Sequence, residues 1–120
     1  MIVAGFGFST RASLDSLADA LRRATEVYEV HAFATPTDKM ALVGALARIH
    51  SVPVHPVPAA QLENIETQTQ STRSMQTRRT GSVAEASALA AAGPGAVLLQ
   101  ARVESADRLA TCALAQGKNS

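Results

Sequence analysis

The chain has 120 residues, 47% of them hydrophobic, a net charge of +1 and one cysteine. That length suits a single domain burying about two-thirds of its unfolded surface, while the near-neutral balance gives no global attraction to nucleic acid or membrane. The lone Cys112 excludes an internal disulfide, aromatic residues at 3% offer no base-stacking platform, and no apolar run nears the roughly 18 residues that cross a bilayer.

Residues 2–8, Ile-Val-Ala-Gly-Phe-Gly-Phe, form a short apolar run punctuated by glycines and predict a buried strand. The start lacks the basic segment and long apolar core of a signal peptide, so a cytoplasmic protein is expected. Ser9, Thr10 and Ser13 are candidate caps for a helix over about Leu14 to Val27, in which Leu14, Leu17, Ala18, Leu21 and Ala24 recur at three- and four-residue steps. A second strand is predicted over Tyr28 to Ala34 and is stopped by Pro36. Thr37 or Asp38 then caps a helix with Leu42, Val43, Leu46, Ala47 and Ile49 on its inward stripe. Val52 to Val57 reads as a third strand, demoted toward an edge or a strand end by Pro53 and Pro56, and residues 58–64 as one or two helical turns.

From Glu66 to Ser82 the chain is polar apart from Met75, and after Glu66 no acid offsets Arg73, Arg78 and Arg79. A segment of this kind is either a functional cover or a solvated surface loop. Ser82 and Glu85 have the spacing of a capping box, opening an alanine-rich helix that ends at Gly93. Ala96 to Ala101 and Leu109 to Leu114 predict an antiparallel hairpin across a charged connection, 103–108, and residues 116–120 a frayed tail. Cys112 lies within the second of these strands and reads as a small buried hydrophobe. The fold class expected is α/β: one domain, a three-layer sandwich with a mixed, mainly parallel sheet and a C-terminal antiparallel hairpin. In such sheets ligands bind beyond the carboxyl ends of the parallel strands. Gly5 to Ser9, Thr35 to Lys39 and Pro56 should therefore face one crevice, with 66–82 as its cover.

Gly5-Phe6-Gly7-Phe8-Ser9-Thr10 starts like a dinucleotide fingerprint but has Thr10 where the third glycine belongs. The glycines serve either close backbone approach to a ligand or tight strand-to-helix packing. No phosphate-binding Gly-Lys-Ser/Thr occurs, and His31, His50 and His55 have no metal-ligand spacing, so no cofactor or metal is expected. Asp38 and Lys39, after a strand and at a helix start, are candidates for acid/base or electrostatic work, and capping equally accounts for Asp38. His55, near a strand end, is the third candidate catalytic residue. The arginines, the Ser/Thr run and a free helix N-terminus suit carboxylate or phosphate groups on a ligand.

Together, residues 3–8 (Val-Ala-Gly-Phe-Gly-Phe), 34–39 (Ala-Thr-Pro-Thr-Asp-Lys), 69–71 (Thr-Gln-Ser) and 80–86 (Thr-Gly-Ser-Val-Ala-Glu-Ala) resemble the CobE family, equivalent to the C-terminal domain of CbiG, over essentially the whole chain. The resemblance implies a place in cobalamin (vitamin B12) biosynthesis, with a corrin-ring (precorrin) intermediate as ligand and other pathway enzymes as possible partners. CbiG is the cobalt-precorrin-5A hydrolase, which opens a ring lactone and releases acetaldehyde. CobE is a small stand-alone counterpart. Ser9 stands where many relatives are expected to have a basic residue, which Arg11 could replace. The ligand-binding candidates are Gly5, Phe6, Gly7, Phe8, Thr35, Thr69, Ser71, Thr80, Gly81, Ser82 and Glu85 on the matched motifs, Arg11 as the replacement for a basic residue at position 9, and Arg73, Arg78 and Arg79 on the charge of the polar segment. Precorrins carry acetate and propionate groups around an apolar ring, so a binder needs cationic and hydroxyl donors at the rim and apolar surface beneath. Three functions are weighed on this basis: precorrin binding, lactone opening on the same ligand with the Gly81 and Ser82 amides as oxyanion donors, and a small nucleotide-binding regulatory module.

Overall fold

The computed structural model describes residues 1–63, 65 and 82–118. Strands β1 (Ile2–Phe8), β2 (Ala32–Pro36), β3 (Val54–Val57), β4 (Val97–Glu104) and β5 (Ala110–Gln116) form one sheet in the order β3-β2-β1-β5-β4. Pairing is parallel across β3-β2-β1 and antiparallel across β1-β5-β4. The mixed sheet and C-terminal hairpin are those expected. The hairpin's second strand lies beside β1, in the middle of the sheet.

Helices α1 (Leu14–Ala24) and α2 (Met40–His50) cover one face, where Leu17, Leu21, Val43 and Leu46 pack on Ala4, Phe6, Phe33, Cys112 and Leu114. The Phe6 and Phe33 rings meet edge to face at 5.1 Å, and burial of each ring contributes about 2–3 kcal/mol. On the other face α3 (Ala59–Glu63) and α4 (Val83–Ala92) bring Leu62 and Ala86 onto Val3, Ala32, Ala34 and Val57. Period-two alternation along β1 supplies both faces: even positions meet α1 and α2, odd positions meet α3 and α4.

The glycines of β1 belong to this second face. A Cβ on Gly5 would stand 2.1 Å from the Ala84 carbonyl oxygen and 2.5 Å from the Ala88 nitrogen, and one on Gly7 would stand 3.2 Å from the Val83 Cβ. Of the two readings of these glycines, helix packing accounts for the space around Gly5. The same contacts place the N-terminus of α4 at the carboxyl end of β1.

Several boundaries differ from expectation for physical reasons. Strand β2 starts at Ala32 rather than Tyr28, because its partner begins at Ile2 and Val3 already pairs with Ala32; His31 N–H donates to the Ile2 carbonyl at 2.9 Å, and the alternating residues before it have no strand to join. Helix α1 stops at Ala24 rather than Val27. Its start is capped reciprocally by Ser13 and Ser16. A 3-10 turn, Thr37–Lys39, leads into α2, and the N-cap positions of the turn and of the helix are Pro36 and Lys39, neither of which makes a side-chain capping bond. Strand β4 runs on to Glu104, with register shifts between Leu98 and Val103 that let Val103 pair with Cys112. Residue 116 belongs to β5, and Gly117 N–H donates to the Met1 carbonyl at 3.0 Å, which ties down the start of the expected tail.

Candidate functional site

The three parallel strands end at Phe8, Pro36 and Val57 on one edge of the sheet, the position where α/β folds hold ligands. There the β1–α1 connection and the 3-10 turn before α2 enclose an open cleft of ≈ 230 Å³ lined by Phe8, Ser9, Thr10, Ala12, Asp38, Lys39, Ala41 and Leu42. Phe8, Ala12 and Leu42 supply half-buried apolar surface; Thr10 and Asp38 stand exposed at the rim. The Lys39 ammonium lies 5.3 Å from the centre of the Phe8 ring, a cation–π contact that holds the charge over the cleft floor.

The cleft's first wall is braced from three directions. Ser9 Oγ accepts from Arg11 N–H at 3.2 Å, while the Ser9 carbonyl accepts from Ala12 N–H and Ser9 N–H donates to the Leu109 carbonyl at 2.9 Å. The β4–β5 turn is in turn fastened to α1: Asp107 accepts from Ser16 Oγ at 2.6 Å and Ser105 Oγ at 2.5 Å, and Asp19 accepts from Ala106 N–H at 2.7 Å. These donors hold both carboxyls below the usual carboxylate value. For Asp107 the Ser105 hydroxyl leads, followed by Ser16; for Asp19 the Ala106 amide leads, ahead of Arg23 and Arg22. Thr111 Oγ1 donates to the Gly7 carbonyl at 3.1 Å, and Thr35 Oγ1, fully buried, reaches the Phe6 carbonyl at 3.4 Å.

Of the residues singled out from sequence, Phe8, Asp38 and Lys39 meet in the cleft. Gly5, Phe6 and Gly7 are buried in β1, with Phe6 in the core of the α1–α2 face, and Thr35 is buried beneath the edge. Arg11 is exposed and outside the cleft lining, and His55 is exposed on β3 opposite Ala34, also outside it. Ser82 caps α4 by accepting from Glu85 N–H at 3.2 Å. Glu85 does not complete a capping box with Ser82: it is fully buried, and its Oε2 accepts from Arg102 N–H on β4 at 3.0 Å, so the carboxylate joins helix to sheet. Thr69, Ser71, Arg73, Arg78, Arg79, Thr80 and Gly81 lie outside the described residues. Ser9, expected at the crevice as the last residue of the Gly5 to Ser9 stretch, also lines it, whereas Thr10, Ala12, Ala41 and Leu42 were not singled out as cleft-lining groups. The clue available was their position in the loops and first helical turns that follow β1 and β2. Among the described residues no group of three or more His, Cys, Asp or Glu is placed to hold a metal ion, and no helix is long and apolar enough to cross a membrane.

The family described as "Cobalamin synthesis G C-terminus" matches residues 2–115. The chain belongs to that family. Among solved structures, this member of the cobalamin synthesis G C-terminal family is similar to CobE, a protein from the cobalamin (vitamin B12) biosynthetic pathway, at 30% identity and a TM-score of 0.86 over 96% of this chain and 89% of CobE. It is similar to the cobalamin biosynthesis protein chiG from Agrobacterium tumefaciens at 28% identity, with a TM-score of 0.72 and 98% and 99% of the two chains covered. A cobalamin biosynthesis protein G homologue from Sulfolobus solfataricus shares the fold at 21% identity and a TM-score of 0.72; 95% of this chain matches 36% of that longer one. No curated protein matches. The resemblance read from the residue motifs is thus the family shown by comparison, and the chain is a cobalamin-biosynthesis protein.

Proposed function

We propose that this family member binds a corrin-ring intermediate of cobalamin biosynthesis at the carboxyl edge of its parallel strands. The observation that carries the reading is the cleft in which the Lys39 ammonium stands over Phe8 and whose lining also includes Ser9, Thr10 and Leu42. Such a site offers an acetate or propionate group a cation and hydroxyl donors, and offers ring carbon an aromatic and aliphatic floor. At ≈ 230 Å³ the cleft is below the roughly 300–1,000 Å³ of pockets that enclose a small ligand. It therefore takes one carboxylate-bearing edge of the macrocycle rather than the whole ring. Arg73, Arg78 and Arg79 remain candidates for the other carboxylates on charge and position in the sequence alone.

Titration of the chain with hydrogenobyrinic acid should shift the pigment's visible spectrum and make it co-elute with the protein. Loss of one partly desolvated ammonium–carboxylate contact in Lys39→Ala corresponds to about 1 kcal/mol, or roughly a fivefold weaker Kd. No retention of pigment at micromolar concentration, or full affinity in a Phe8→Ala/Lys39→Ala double variant, overturns the proposal. Because Asp38 shares the cleft with Lys39, ring-lactone opening on the same ligand is the second reading. Turnover of a precorrin lactone that is lost in Asp38→Asn while binding persists selects it.

A further inference from the structure

The turn between β4 and β5 stands on the same edge as the cleft. Phe8 pairs with Ala110, and Ser9 N–H donates to the Leu109 carbonyl at 2.9 Å, so the Cα of Arg108 lies within about 9 Å of that of Ser9, which lines the cleft. The turn is held by its own polar groups and by α1. Arg108 N–H donates to the Ser105 carbonyl at 2.9 Å, closing a tight turn over residues 105–108, and Ser105 N–H donates to the Ala110 carbonyl at 2.9 Å. Ser105 Oγ accepts from Ala110 N–H at 3.1 Å and donates to Asp107, whose carboxylate also accepts from Leu109 N–H and Ser16 Oγ. The Arg108 side chain is the exception: it is exposed, and its guanidinium has no hydrogen bond or ion pair among the described residues.

Arg108 also sits in the left-handed region, at a φ of 62°. A tight turn followed by a left-handed residue is a common hairpin connection, and glycine is the residue that takes that position without steric cost. The other non-glycine residue with positive φ among those described, Ser51, ends α2, where a left-handed residue is an ordinary helix stop. At position 108 the chain accepts strain for a side chain that makes no polar contact with the described fold, which marks a group presented to something outside it. We propose, resting on the corrinoid-binding reading above, that Arg108 receives a second carboxylate of the ring. The macrocycle then runs from Lys39 and Phe8 across the wall formed by residues 9–12 to the β4–β5 turn, on the β5 side of β1. A guanidinium suits this role because its donors match both oxygens of a carboxylate, and a turn fastened to α1 leaves little backbone to be ordered on binding.

Hydrogenobyrinic acid titrated at low and at high salt into the wild type, Arg108→Gly, Arg108→Lys and Lys39→Ala, with a thermal melt of each protein, tests the assignment. Arg108→Gly separates fold from ligand, because glycine relieves the left-handed strain while removing the cation. Its Tm should rise by about 2–4 °C, while its Kd at low salt weakens about fivefold and depends less steeply on salt. Arg108→Lys keeps both the charge and the strain, so its Tm should match that of the wild type and its salt dependence should be retained. Wild-type affinity in Arg108→Gly, beside weakened binding in Lys39→Ala, overturns the role of Arg108 and leaves the cleft as the binding site. A lowered Tm in Arg108→Gly overturns it too, as does an affinity loss of equal size at low and high salt. If the wild type itself does not retain the acid, the corrinoid reading fails and the role of Arg108 fails with it.

Discussion

Substituting Gly5 by alanine is the sharpest test of how the sheet holds α4. The added methyl would lie 2.1 Å from a backbone oxygen, 2.5 Å from a backbone nitrogen and 2.9 Å from the Ala88 Cβ. None of these is the flexible end of a side chain, so α4 itself must retreat by about 1 Å. Overpacking of this kind costs about 1–3 kcal/mol and sometimes more, and the rigid neighbours put Gly5→Ala at the upper end. With unfolding entropy near 2.1 cal/mol/K per residue, 3 kcal/mol in a domain of this length lowers Tm by about 12 °C. Gly44→Ala is the internal control: it sits inside α2 with nothing within 4 Å of the new methyl, so helix propensity should raise stability by about 0.5–1 kcal/mol, or 2–4 °C. Circular-dichroism melts of the two variants and the wild type decide the matter. If Gly5→Ala melts within about 2 °C of wild type, the close approach of α4 to β1 is not what the glycine provides.

Replacing Glu85 by alanine removes an acceptor for Arg102 N–H and should cost about 1–3 kcal/mol in urea denaturation, with Glu85→Gln costing less because it keeps an acceptor oxygen. Ser82→Ala removes the α4 cap and should cost about 1 kcal/mol in the same measurement. The lowered values of Asp107 and Asp19 mean that the native state favours their ionised forms. Their stabilisation is present above the ordinary value of 3.8 and is lost as pH falls below it through the native values; the urea midpoint should fall over that range, and less steeply in Asp107→Asn. Cys112 is fully buried and burial pushes its thiol up, so a thiol-reactive dye should leave the native protein unlabelled and label it fully in denaturant.

The layers of the fold were legible because apolar periodicity is strong where they form. The run from Ile2 to Phe8, the three- and four-residue steps of α1 and the alanines of α4 each name their element without help from the rest of the chain. Properties set by a partner distant in sequence were not legible. The start of β2 is decided by where β1 begins, and the length of β4 by bulges that match it to β5. Glu85 fits a local capping pattern, yet its carboxylate serves a strand 17 residues on. Similarly, Phe8, Asp38 and Lys39 could be assigned to a cleft from their places after β1 and β2, whereas Ala12, Ala41 and Leu42 look like ordinary helix residues until the two loops are brought together. Gly5 and Gly7 carried two readings, and only the position of α4 separates them.

Because the final strand sits next to the first, the centre of the sheet is completed by residues 110–116 pairing with residues 2–8. A ribosome emits residues 2–8 about a hundred residues ahead of residues 110–116. Until the last of them emerges, β1 presents a bare hydrogen-bonding margin of the kind that recruits foreign strands. The sheet is therefore complete only once residues 110–116 are available, and truncation before Ala110 would remove a middle strand rather than trim a border.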